Sequence, residues 1–182
     1  MVLLNSKMLA LGTKASDFDL CGTNDKNYSL DSFKDKKVLV IIFMCNHCPY
    51  VIAVLERIIG IQNDYADKGV QLIGINPNDT VNYPDDSFNN MKKIVIEKDI
   101  PFPYLIDESQ SIARIYDAVC TPDIYVYGNK RTLVYRGRID DNWQNESKVT
   151  QRDLRNALDA ILKGNPVSKE QIPSMGCSIK WK

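Results

Sequence analysis

Seven consecutive apolar residues, Val38 to Met44, lead without a break into Cys45-Asn46-His47-Cys48. A run this rich in Val, Ile and Phe reads as a strand buried on both faces, so the chain needs packing layers above and below a sheet. From Pro49 the spacing changes, and Val51, Val54, Leu55 and Ile58 fall on one side of a helix. Two cysteines three residues apart therefore stand at a strand-to-helix turn. Pro49 suits an early helical position, where it has no hydrogen bond to lose.

The placement has chemical consequences. Free N–H groups and the positive end of the helix favour a thiolate in the first turn. The spacing brings the two sulfurs within disulfide range, so the pair can cycle between dithiol and disulfide. His47 lies between them and would add positive charge beside either sulfur. A stabler thiolate makes the disulfide form more oxidising. A C-x-x-C pair can also be half of a zinc site, but that needs two further ligands. The chain offers one histidine and three other cysteines, none in a second C-x-x-C, so redox use is the leading expectation and no metal or organic cofactor is called for.

At 182 residues and 44% apolar content the chain suffices for one domain with a sizeable core. Lys plus Arg and Asp plus Glu each number 23, which gives no electrostatic case for nucleic acid or an acidic lipid surface. No apolar run approaches bilayer length, and the first residues lack the basic segment of a signal peptide. Five scattered cysteines do not make a disulfide framework, so a cytoplasmic location is the expectation.

In chain order, residues 1–12 read as an N-terminal extension whose leucines lie on the domain. Asp17 to Leu20 alternates ahead of a polar turn that holds Cys21, and Asp31 or Ser32 can cap a short turn before the central strand. The first helix runs to about Asp67, with Gly69 at its left-handed end, and Val70 to Ile75 is the next buried strand. Residues 80–86 read as a surface loop and 87–98 as a helical crossover. A short strand (104–106), a short helix (112–116), a hairpin of 124–127 with 132–136, and a final helix through Leu162 capped by Thr150 with Asp153 follow. Asp140 and Asp141 lack the spaced oxygens of a calcium loop, and Trp143 is expected to pack near the site. Residues 1–164 are read as the domain, and 165–182 as a tail packed on it.

Asp17-Phe18-Asp19-Leu20, the Leu30–Lys36 segment, Phe43-Met44-Cys45-Asn46-His47-Cys48 and Thr121-Pro122 before a strand together resemble the thioredoxin superfamily. The likeness is to the branch that joins peroxiredoxin-like (AhpC/TSA-type) and thiol–disulfide oxidoreductase-like domains, and it spans roughly 15–162. It implies an α/β thioredoxin-like fold with an N-terminal β extension and a central mixed sheet flanked by helices. It also implies Cys45 as a solvent-facing nucleophile, Cys48 as the more buried resolving thiol, and Pro122 as a cis proline opposite them. Thr121 would offer its backbone to an extended substrate. Two departures stand out. Aligning Cys48-Pro49 with the Cys-Pro of a peroxiredoxin puts Cys45 where that family carries threonine and Ile41 where it carries proline. The central strand also lacks the buried carboxylate that thioredoxin holds beneath its second cysteine, and Glu56 is two turns along the helix.

The leading expectation is dithiol–disulfide exchange by Cys45 and Cys48 with a protein or small-molecule disulfide and a thiol reductant. Thiol-dependent peroxide reduction is the first alternative, and a non-enzymatic redox-sensing or binding domain the second. Cys120, two residues before Pro122, and Cys177 on the tail are candidate additional thiols. The sequence leaves oligomeric state open.

Overall fold

The computed structural model describes residues 2–182. Its main sheet has seven strands in the order β3-β2-β6-β5-β4-β8-β9. These are β2 (Leu20–Gly22), β3 (Asn27–Tyr28), β4 (Val38–Phe43), β5 (Val70–Asn76), β6 (Tyr104–Ile106), β8 (Asp123–Tyr127) and β9 (Leu133–Arg136). Four helices accompany it: α1 (Pro49–Tyr65), α2 (Phe88–Glu97), α3 (Ser111–Ile115) and α4 (Asp153–Leu162). A second, antiparallel sheet joins β1 (Leu3–Asn5), β10 (Met175–Ser178) and β7 (Cys120–Thr121), in the order β1-β10-β7. This is the α/β thioredoxin-like fold with extra N-terminal strands and a central mixed sheet.

The apolar run explains the layering. β4 pairs parallel with β5 and antiparallel with β8, and all six of its residues are buried. Val38, Val40 and Ile42 face a core shared with α1 and α4, through Val54, Ile58, Leu154 and Leu158. Leu39, Ile41 and Phe43 face a second core with Phe18, Phe33, Ile112 and Tyr116. A strand covered on both sides has no position for a polar residue, which is why the run is unbroken. Full burial of each such side chain is worth about 1.5–3 kcal/mol over exposure, so both layers depend on it.

α1 begins with Pro49 at its first position and buries Val51, Val54, Leu55 and Ile58. Gly69, at φ +85°, turns the chain from the helical end into β5, a left-handed conformation that favours glycine. Among the described residues no helix is long and apolar enough to cross a membrane.

Three local expectations need correction. The strand expected near Asp17–Leu20 is β2, shifted to Leu20–Gly22, so Cys21 lies in a strand and the turn follows it. The cap before β4 is Ser29, whose N–H bonds Ser32 Oγ at 3.0 Å. Thr150 does not cap α4: its N–H and hydroxyl both donate to the Asp141 carboxylate, and Arg152 occupies the cap position without a side-chain bond. Residues 165–182 return to the main body, where the Asp79 N–H donates to the Lys180 carbonyl at 2.8 Å and the Lys180 N–H to Asn78 Oδ1 at 2.9 Å.

Candidate active site

β4 delivers the chain to the turn between sheet and helix, and Cys48 is the residue that caps α1. Both sulfurs are enclosed: Cys45 is 1% exposed and Cys48 0%. This corrects the expectation that Cys45 faces solvent. The cause is the neighbouring chain, because the Thr121–Pro122 peptide, which is cis, runs directly over the pair. The Cys48 thiol donates to the Thr121 carbonyl at 3.1 Å, and Cys45 Sγ lies 3.6 Å from the Thr121 hydroxyl. All five cysteines are unbridged.

The pair does not share its charge evenly. The Cys48 thiol is pulled well down, chiefly because the Cys45 thiol hydrogen-bonds to it, with help from Thr121, the Val51 N–H of the first helical turn and Cys177. Cys45 is pushed up by the same hydrogen bond, by burial and by the negative charge of Asp86. Ionising Cys48 forfeits its bond to the Thr121 carbonyl but gains several donors, so Cys48 is the sulfur that carries the anion. The lowered thiol that the sequence led one to seek at the helix start is thus Cys48, with the helix terminus only a contributing cause.

Asp86 is the residue that sequence reasoning missed. It ends a 3-10 turn, Pro84–Asp86, within the stretch read as a surface loop, yet it is fully buried. Its Oδ1 accepts from the N–H groups of Asn46, at 2.8 Å, and His47, at 3.3 Å, and its Oδ2 accepts from Asn78 Nδ2 at 2.8 Å. One carboxylate therefore fixes the backbone between the two cysteines. His47 Nδ1 lies 2.7 Å from Asp86 Oδ2 without hydrogen-bond alignment, and its ring stacks on Tyr83. His47 thus faces Asp86, with its imidazole also within 4.8 Å of the Cys45 sulfur. Tyr104 completes the cradle, donating to Asn46 Oδ1 at 3.0 Å. Glu56 takes no part: it is exposed and pairs with Lys98 at 3.4 Å. The only signal for Asp86 was an acidic pair in a proline-containing polar loop, which is common at surfaces.

Cys45, His47 and Asp86 place a thiol, an imidazole and a carboxylate within 4.8 Å of one another, a donor set that could hold a divalent cation. Both Asp86 oxygens are already engaged by N–H groups, so the cluster as built is a buried anion held by its own donors. Cys120 is fully buried and its thiol is pushed up, chiefly by burial, which makes it a packed apolar group. Cys177 is also buried, and its thiol is pushed up to about 11 by burial and by hydrogen bonding to Cys48. The Thr121 backbone is not open to an extended substrate, because β10 pairs with it, Cys177 opposite Thr121. A cavity of about 400 Å³ lies beside Pro122, lined by Tyr50, Val54, Ile124, Trp143 and Met175. Trp143 packs on Tyr50 at its rim, ring centroids 4.2 Å apart.

A cysteine pair at a strand–helix turn under a cis proline is a thioredoxin- and peroxiredoxin-like architecture, and residues 11–136 match the AhpC/TSA family. The chain belongs to the AhpC/TSA family. Among solved structures this family member is similar to an uncharacterised conserved protein from Geobacillus kaustophilus, at 46% identity over 100% of this chain and 97% of that one, with a TM-score of 0.96. A hypothetical protein from Sinorhizobium meliloti 1021 is 41% identical over 98% of each chain, with a TM-score of 0.94. Peroxidoxin BcpB from Mycobacterium tuberculosis shares the fold at 14% identity, covering 85% of this chain and 96% of its own, with a TM-score of 0.64. No functionally curated protein matches the chain. The AhpC/TSA fold and the cysteine arrangement are consistent with a thiol-based redox enzyme.

Proposed function

We propose that this AhpC/TSA protein reduces small hydroperoxides at Cys48, with Cys45 as the partner thiol. The observation that carries the reading is the enclosure of both sulfurs, 1% and 0% exposed, around a favoured Cys48 anion. A protein disulfide must bring its sulfur into line with the attacking sulfur, which an enclosed pair with its cis-proline strand already paired does not admit. A hydroperoxide is only slightly larger than water. The Thr121 hydroxyl beside the pair supplies a donor of the kind that Cys45 displaces from its position in the turn.

The Cys48 thiolate attacks the terminal peroxide oxygen, and the O–O bond breaks. The electron pair leaves with the alkoxide, which takes a proton from solvent, and Cys48 becomes a sulfenic acid. Cys45 then loses its proton and attacks the Cys48 sulfur. Hydroxide leaves with that proton as water, and the Cys45–Cys48 disulfide remains for an external thiol to reduce.

Dithiol–disulfide exchange is the second reading, favoured by the C-x-x-C spacing beside a cis proline. Rapid mixing of reduced protein with hydrogen peroxide, or separately with glutathione disulfide, followed by acid quench, alkylation and mass analysis, decides between them. Peroxide should oxidise Cys48 much faster than it oxidises a free thiolate. Replacing Cys48 by serine should slow peroxide consumption by at least about a thousandfold, whereas replacing both Cys45 and Cys177 by serine should leave a trappable sulfenic acid at Cys48. Peroxide oxidation no faster than that of a free thiolate, beside rapid reaction with the disulfide, overturns the peroxide reading in favour of exchange.

A further inference from the structure

Strand β10 is fitted to the cis-proline strand with little tolerance. Cys177 pairs with Thr121 and Ser178 with Cys120 on one edge, and Leu3 of β1 pairs with Cys177 on the other. A Cβ on Gly176 would lie 1.9 Å from the Thr121 carbonyl oxygen, so only glycine permits this approach. Beyond the strand, Gln110 Nε2 donates to the Lys180 carbonyl at 2.8 Å, and the Lys182 N–H donates to Gln110 Oε1 at 2.9 Å. The tail is thereby tied at two successive points.

The fitted strand delivers a thiol. Cys177 joins the same buried cluster as Cys45 and Cys48, on the α1 side of the molecule, and it stands opposite Thr121, whose carbonyl accepts from the Cys48 thiol at 3.1 Å. β10 thus occupies the backbone positions that an extended substrate of an exchange enzyme would take, and it presents a cysteine to the reactive sulfur.

From this geometry we infer that Cys177 is a second partner thiol for Cys48, carried on a strand of the chain's own that fills the substrate edge. The inference rests on the Cys45–Cys48 pair being redox-active, whatever its oxidant. Once the Cys45–Cys48 disulfide exists, Cys177 gives up its proton and attacks the Cys48 sulfur. The Cys48–Cys45 bond breaks, the Cys45 sulfur leaves with the bonding electrons and takes up a proton, and a Cys48–Cys177 disulfide forms. One disulfide is exchanged for another, so no further oxidant enters. Cys45 is restored as a thiol, and the oxidising equivalent comes to rest on the tail strand.

The test is disulfide mapping of the folded full chain. Wild type and Cys45→Ser are oxidised with diamide, quenched in acid, alkylated and digested, and the linked peptides are quantified. The Cys48–Cys177 peptide is expected in both. It should rise at least about threefold in Cys45→Ser, where the competing sulfur is gone. Complete alkylation of Cys177 in the oxidised wild type, with Cys45–Cys48 as the sole linkage, overturns the inference without recourse to any variant. The same mapping after hydrogen peroxide separates the two proposals. A Cys48–Cys177 link formed by diamide, with neither that link nor Cys45–Cys48 formed by peroxide, removes the peroxide reading and keeps this one, and a peroxide-made Cys45–Cys48 bond with Cys177 fully alkylated after either oxidant does the reverse.

Discussion

Asp86 adds to an asymmetry of the cysteine pair that the hydrogen bond between the two thiols and burial begin. A negative charge fixed beside Cys45 opposes a second negative charge there, while the Cys45 proton stabilises the Cys48 anion. Asp86→Asn removes that charge but keeps an oxygen to accept from the Asn46 and His47 N–H groups. Alkylation of Cys45 by iodoacetamide, followed by mass across a pH series, should then begin at lower pH than in wild type. Because the amide cannot satisfy Asn78 and His47 together, folding stability should also fall by about 1–3 kcal/mol in urea titrations. The contrast between Asp86 and Cys48 shows what was legible at this scale. Cys48 announced itself through its spacing to Cys45 and the following Pro49, which are local in sequence. Asp86 acts on residues forty positions earlier, and nothing local distinguishes it from a solvated aspartate.

At the scale of elements, β4 and α1 could be read because burial writes itself into composition: a strand covered twice has no polar residue, and a helix covered once shows its apolar side. The short pieces were harder. β2, β7 and β10 each hold two to four residues, too few for any periodicity, and their pairing comes from the surrounding fold. β10 gives the clearest prediction. Gly176→Ala would drive a methyl group into the Thr121 carbonyl, and backbone cannot yield as a flexible side chain does. The strand should detach, with a loss of more than about 3 kcal/mol. Limited proteolysis should then cut within residues 165–174 at protease levels that leave wild type intact, and thermal unfolding should shift down. Arg57 plays a comparable anchoring part for the Trp143 loop, since its guanidinium holds Asp140 at 2.5 Å and the carbonyls of Asn142 and Trp143.

At the scale of the whole molecule, stability against pH joins two groups of opposite sign. Asp123, buried just after the cis proline, is pushed up to about 7 by burial, while Ser6 and Tyr125 hydroxyls only partly offset that effect. A carboxyl raised in the folded state binds more protons there than in the unfolded chain, so stability falls as pH rises from about 4 to about 7. The loss can reach about 4 kcal/mol. Cys48, lowered in the folded state, works the other way over a range that overlaps, and its contribution is lost as pH falls. Thermal unfolding in a Cys48→Ser background should therefore expose the Asp123 slope, and adding Asp123→Asn should flatten it. A slope that survives Asp123→Asn would assign it to another group.

The small sheet also has a bearing on biosynthesis. β1 comes from the first residues of the chain and β7 from the cis-proline segment, and β10, which joins them, is made last. During synthesis the seven-stranded sheet and α1 can form while the cis-proline edge still lacks its third strand. For that interval Thr121 lies over Cys45 and Cys48 with its own backbone edge still unpaired, and the growing polypeptide passes through a stage in which another extended segment could pair there before β10 does.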